Sequence, residues 1–164
     1  EWYMDRILAI RRIIPGCGIS SDIITGFCSE TEEQHQDTLS LMEWSEFDFS
    51  YMYKYSERPK TLAERKYSDD ISEETKARRL SEIIHMQNRL SKVSNKADIG
   101  KTVRVLVERE SKRSADYVSG RSSENKVVVF PKEHYKPGDL VDVLIHDCTQ
   151  ATLLGNATGM APGH

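Results

Sequence analysis

The chain has 164 residues, of which 38% are hydrophobic and 30% charged, and a formal net charge of -3 at pH 7. That length can bury one substantial core, or one small domain beside part of another, and the balance is that of a folded protein rather than a disordered one. No apolar run approaches the roughly 20 residues of a membrane helix and no signal-peptide pattern is present, so no membrane is expected as a partner and the cytoplasm is the expected location.

The opening Glu1-Trp2-Tyr3, without a methionine, reads as the start of an excised or truncated piece. Apolar Tyr3, Ile7, Leu8 and Ile10 interleaved with Arg6, Arg11 and Arg12 predict a helix over 2–14. Pro15-Gly16 stops it. Residues 19–27 form a nearly continuous apolar run, as in a parallel strand covered on both faces. Ser29-x-x-Glu32 has capping-box spacing, and Glu30, Glu32 and Glu33 suit the N-terminus of a helix that ends near Ser45. Residues 47–53 predict an aromatic-rich second strand, followed by a loop over 56–66 holding Arg58-Pro59. From Ser72, apolar positions at three- and four-residue intervals (Ala77, Leu80, Ile83, Ile84, Leu90) predict a long helix. Its exposed face is basic, and Ser94 to Asp98 reads as the junction to a second module.

After Gly100 the period changes to two. Short strands are predicted over 102–108, 115–120, 126–130, 139–145 and 151–154, with Gly, Pro and Asn in the turns. Such a series suggests a small closed or nearly closed barrel. Residues 156–164, rich in Gly, Ala and Pro, are expected to be a flexible tail. The expected domains are therefore 1–97, 98–155 and the tail 156–164.

Charge is unevenly distributed. Residues 101–136 carry nine Lys/Arg against five Asp/Glu, whereas residues 1–97 carry fourteen against seventeen. A locally basic β-rich module on an acidic body points to a polyanionic partner, although Lys-protected strand edges would give the same count. Cys17, Cys28 and Cys148 form no C-x-x-C pair, so no zinc or iron–sulfur motif is written here and they read as small buried hydrophobes. The five histidines show no ligand spacing, and no metal site is expected.

Two segments carry a family resemblance. Ser21-Asp22-Ile23-Ile24-Thr25-Gly26-Phe27 with Glu30-Thr31, followed by Tyr55-Ser56-Glu57-Arg58-Pro59-Lys60-Thr61, resembles the late βα units of radical-SAM methylthiotransferases. Residues 101–154, through Gly120-Arg121-Ser122-Ser123-Glu124-Asn125-Lys126-Val127-Val128 and Gly138-Asp139-Leu140-Val141, resemble the TRAM domain of the same enzymes. The implied fold class is α/β, a partial radical-SAM (βα) barrel followed by a small all-β, OB-like TRAM barrel. Asn125-Lys126 in the turn favours the branch that methylthiolates an isopentenylated adenosine beside the tRNA anticodon. The sister branches, acting on threonylcarbamoyladenosine or on ribosomal protein S12, remain open, as does a stand-alone RNA-binding module. The sequence departs from the family pattern where Cys28-Ser29 replaces a common Pro-Gly and where Lys60 replaces the glycine after Arg-Pro.

The resemblance implies 4Fe-4S clusters and S-adenosylmethionine in the full-length protein, with none bound to this fragment, which lacks the C-x-x-x-C-x-x-C motif and is expected to be inactive. It assigns no catalytic residue here. Asp22 and Arg58 are candidate cofactor-binding residues at the barrel mouth; each could equally serve a structural hydrogen bond or a loop. Tyr53 and Tyr55 could stack on a base or pack in a core. Lys112, Arg113, Arg121 and Lys126 are the candidate RNA-binding set, aimed at the backbone of a folded stem-loop. The expected partners are tRNA through its anticodon stem-loop and the missing N-terminal part, with oligomers possible through unpaired barrel edges.

Overall fold

The computed structural model describes residues 1–111 and 114–161. The chain divides into two compact units, Glu1–Leu8 with Ile19–Leu90, and Ala9–Gly18 with Ser91–His164.

The first unit is built on a βαβ repeat. Strand β1 (Ser20–Thr25) leads into helix α2 (Glu32–Ser45), which returns the chain to strand β2 (Phe49–Lys54); helix α1 (Trp2–Ile13) precedes them. The strands pair in parallel from Ser20↔Phe49 to Thr25↔Lys54, the arrangement a helical crossover permits. A short helix α3 (Leu62–Lys66), capped by Thr61, occupies the segment expected as loop. Helix α4 (Glu73–Lys96) begins after Ser72, whose Oγ accepts the Thr75 N–H at 3.1 Å. The expected cap of α2 shifts by two residues. Thr31 rather than Ser29 is the N-cap, and its capping box closes on Gln34 rather than Glu32. Ser29 is unfit for the cap because its backbone is left-handed, at φ 63°.

One face of the two-stranded sheet is covered and the other is bare. Ile23 and Thr25 of β1 and Ser50 of β2 are buried. Ser50 Oγ donates to Gln87 Oε1 of α4 at 2.9 Å, and Gln87 Nε2 donates to the Phe47 carbonyl at 2.9 Å. Met42, Phe47 and Ile83 complete this core. The opposite face carries Asp22 and Ile24 on β1 and Tyr51 and Tyr53 on β2, all exposed. The continuous apolar run of 19–27 therefore meets helices on one side only.

The second unit closes into a barrel of β3 (Thr102–Glu110), β4 (Tyr117–Ser122), β5 (Val127–Pro131), β6 (Leu140–Cys148) and β7 (Leu153–Met160), in the ring order β3-β4-β5-β7-β6. Val105, Val107, Val118, Val128, Phe130, Val141, Val143, Ile145 and Leu153 point inward, the alternation that the period of two demands. β5 and β7 pair in parallel and the other contacts are antiparallel. A Cβ on Gly120 would sit 2.2 Å from the Leu106 carbonyl oxygen, so β3 and β4 approach more closely there than any side chain allows. The mixed α/β architecture with a five-stranded closed barrel agrees with the fold class expected. The tail does not: residues 156–160 are the second half of β7, held by Asn156↔Leu144, Ala157↔Val143, Gly159↔Asp142 and Met160↔Val141. Pairing with β6 orders this stretch, and composition alone misread it as flexible.

Candidate functional site

At the C-terminal ends of β1 and β2 the chain turns sharply, and α4 organises the turn. Gly26 has φ 75°, and a Cβ there would lie 2.5 Å from Lys76 Cγ, so glycine meets both a conformational and a steric need. Glu30 Oε2 accepts the Gly26 N–H at 2.7 Å, the Thr25 hydroxyl at 3.3 Å and Arg79 Nη1 at 2.7 Å. Arg79 also donates to the Glu30 carbonyl at 3.0 Å and to Glu32 Oε2 at 3.2 Å. Asp70 accepts from the Ser29 N–H at 2.7 Å and from its hydroxyl at 3.0 Å, and these bonds hold its carboxyl below the usual range.

Lys76 is only 1% exposed and its Nζ lies 2.6 Å from Asp69 Oδ2 and 3.2 Å from Glu73 Oε1. Burial alone would depress its pKa, but these two carboxylates outweigh that and raise it. The ammonium also stands 5.5 Å from the Tyr55 ring centre. Tyr55 packs edge-on against Phe27 at 4.9 Å, and Phe27 against Tyr67 at 6.0 Å. Burial, then the neighbouring Cys28, push the Tyr55 phenol upward.

Asp22 stands in the middle of the bare face, opposite Tyr51. Its carboxylate makes no hydrogen bond or ion pair among the described residues. Arg58 lies on the turn after β2, exposed, with its carbonyl accepting the Thr61 hydroxyl at 2.9 Å. No ion pair joins Asp22 and Arg58. Tyr53 shares the bare face with Asp22, whereas Tyr55 is half-buried at the strand end.

A second cluster lies between α2 and α4. His35, fully buried, places Nε2 2.7 Å from Glu82 Oε2. With Glu32 these are the three metal-ligating side chains that converge among the described residues. Arg78 already occupies both carboxylates, with Nη2 2.7 Å from Glu32 Oε2 and Nη1 2.7 Å from Glu82 Oε1. Its guanidinium holds the Glu32 carboxyl down to about 2. Cations filling the anionic sites make this an ion-pair network joining two helices rather than a metal centre. It contains no thiolate, so the residues present do not fit an iron–sulfur cluster.

On the barrel, the four expected RNA-binding cations fare differently. Lys112 and Arg113 lie outside the described residues. Arg121, on β4, donates from Nη1 to the Asn125 carbonyl at 2.9 Å and Oδ1 at 3.1 Å while staying 40% exposed. Lys126 points the other way: its Nζ lies 2.6 Å from Asp98 Oδ2 and 2.8 Å from Ser94 Oγ, with 11% of the side chain exposed. It is committed to a structural contact and offers little to a phosphate. Arg109 and Lys136, which the sequence reading did not single out, are exposed and form no ion pair among the described residues. The Gly138 N–H donates to the Val107 carbonyl at 2.8 Å and the Val107 N–H to the Asp139 carbonyl at 2.9 Å, which brings their two segments side by side. These bonds continue the β3–β6 pairing beyond Leu106↔Leu140, and no motif announces them.

Residues 96–158 match the model of the TRAM domain family, a span that holds most of the closed barrel. Over 161 residues, 98% of the chain, the sequence is 57% identical to a tRNA-2-methylthio-N(6)-dimethylallyladenosine synthase of Christiangramia forsetii and 55% identical to one of Flavobacterium johnsoniae. Over 155 residues, 94% of the chain, it is 59% identical to a synthase of the same name from Amoebophilus asiaticus. The chain is thus homologous to these synthases along nearly all its length, and it spans about a third of theirs, 34%, 34% and 32% respectively.

Proposed function

We propose that this chain is the C-terminal part of a tRNA methylthiotransferase, which adds a methylthio group to a dimethylallylated adenosine beside the anticodon. The observation that carries the reading is the identity of 54–59% to synthases of that name, over 94–98% of the chain and so across both units. Residues 1–97 contribute two late strands of a radical-SAM barrel, and the TRAM domain grips the anticodon stem-loop. The protein works in the cytoplasm, and the segment as it stands is inactive.

The bare sheet face supports this division. In a (βα) barrel the helices lie outside and the opposite face of each strand looks into the interior. Asp22, Ile24, Tyr51 and Tyr53 then line the interior, and Gly26 to Ser29 and Tyr55 to Lys60 form part of its mouth. The Asp22 carboxylate, an acceptor without a partner, suits the ammonium or ribose hydroxyls of S-adenosylmethionine. Arg58 suits a carboxylate or phosphate approaching the rim. The 4Fe-4S clusters are held by cysteines outside this segment, and with S-adenosylmethionine they supply radical chemistry at a carbon of the base. This segment's own residues orient and shield. The Glu30–Arg79 pair and the Ser29–Asp70 bonds fix the mouth turn before any ligand arrives, so little ordering cost falls on binding. On the barrel, Arg121, Arg109 and Lys136, with Lys112 and Arg113, neutralise phosphates of the stem-loop.

The test is a gene deletion followed by mass spectrometry of digested tRNA. The 2-methylthio derivative should vanish while its dimethylallyl precursor accumulates. The complete gene should restore it, and residues 1–164 alone should not. An unchanged level of the derivative after deletion overturns the reading.

A further inference from the structure

We propose that Ile24 and Tyr53 form an apolar wall at the barrel mouth that receives the alkyl substituent of the substrate base, and that this wall sets the preference for prenylated over unmodified adenine. The inference rests on the function proposed above and adds the residues that read the substituent.

Ile24 and Tyr53 are directly opposite each other in the parallel register and form the last pair on the bare face before the strands end. They are 59% and 55% exposed. Barrel enzymes place their substrates at that end of the strands. One layer deeper stand Asp22 and Tyr51, also an opposed pair. Beyond the end of β1, Phe27 packs edge-on against Tyr55 and Tyr67 while remaining 40% exposed.

The chemistry of this face distinguishes a site from a core. A barrel interior that is merely packed is dominated by branched aliphatic side chains. Here two tyrosine hydroxyls and a carboxylate share the face, and each needs a polar partner that dry packing does not provide. Ile24 and Tyr53 together offer what a dimethylallyl adenine requires: a flat ring beside the planar base and a branched aliphatic surface for its methyl groups. Asp22, in the next layer, leaves polar capacity deeper in the barrel.

The test uses the full-length protein containing this chain and two anticodon stem-loop RNAs that differ only in the dimethylallyl group. Equilibrium binding by fluorescence anisotropy gives the affinity ratio. The wild type should prefer the prenylated RNA. Ile24→Asn and Tyr53→Asn should each erase about tenfold of that preference, whereas a folding defect lowers both affinities alike and leaves their ratio intact. Tyr53→Phe should retain the preference. Should the Asn variants fail to fold, the milder Ile24→Val and Tyr53→Leu read the same ratio. An active wild type whose folded variants all keep the preference overturns the wall alone and shows that other strands cover these residues. A wild type that methylthiolates neither RNA overturns the proposed function, and the wall with it.

Discussion

Lys126 Nζ lies 2.6 Å from Asp98 Oδ2, with both side chains more than four-fifths buried. This pair joins the turn after β4 to the residues that follow α4, all within the second unit. A lysine whose position in the sequence suggests a phosphate contact is therefore a pin of the barrel's own fold.

Replacing Lys126 by Met should lower the stability of the second unit by about 1–3 kcal/mol, because the largely buried Asp98 is left without its main partner. Affinity of the folded protein for an anticodon stem-loop should change little. Thermal unfolding and RNA titration on the same sample separate the two effects. A large affinity loss at unchanged stability would restore Lys126 to the RNA-binding set.

Acid should weaken the same pin. Burial of Asp98 would raise its pKa, but Lys126 and Lys101 outweigh that and hold it below the ordinary carboxylate range. A carboxyl lower in the folded than in the unfolded state stabilises above the unfolded value of about 4, and loses that contribution as pH falls through the folded one. Urea unfolding at pH 7, 4 and 3 should show this loss in the wild type. The Asp98→Asn variant should show a shallower pH dependence, and identical slopes would remove Asp98 from the account.

Arg109→Gln, Arg121→Gln and Lys136→Gln should each weaken stem-loop binding and reduce the slope of log affinity against log salt by about 0.7–0.9. The effect should be nearly independent of RNA sequence, as expected for phosphate contacts. A slope unchanged in all three variants would move the RNA to another face.

Lys60 and Ser29 are left-handed, at φ 69° and 63°. These are the two places where the sequence departs from a glycine in the family pattern. Lys60→Gly should relieve the strain and stabilise the first unit by about 0.5–1 kcal/mol, read as a rise in unfolding midpoint. The gain at Ser29 should be smaller, because Ser29→Gly also removes the hydroxyl bond to Asp70.

Gly120→Ala should be severe, about 3 kcal/mol or more, since the added methyl meets the Leu106 carbonyl and the Val105 side chain. Circular dichroism and thermal melting would report it, and a melt within a few degrees of the wild type would show that β3 and β4 part more easily than their spacing implies.

Periodicity and turn chemistry made the elements legible, because those signals are local. Val103, Val105 and Val107 announce β3 without reference to any partner. What stayed hidden depends on partners far along the chain. The exposure of Ile24 follows from helices packing on one side of β1 only, and the run from Ile19 to Phe27 reads the same either way. The cap of α2 moved to Thr31 because Asp70, forty-one residues on, draws Ser29 into a turn. Lys126 and Arg121 are five residues apart and equally basic, yet one is sealed by Asp98 and the other remains in solvent.

The ring order of the barrel has a consequence for its making. β7 lies between β5 and β6 and closes the circle, although it is the last of the five to be synthesised. Until Met160 has emerged from the ribosome, the nascent sheet exposes the raw borders of β5 and β6 to any neighbouring polypeptide. A premature stop before Leu153 would make that condition permanent, and the product would be a target for chaperones and proteases rather than a weakened version of the domain.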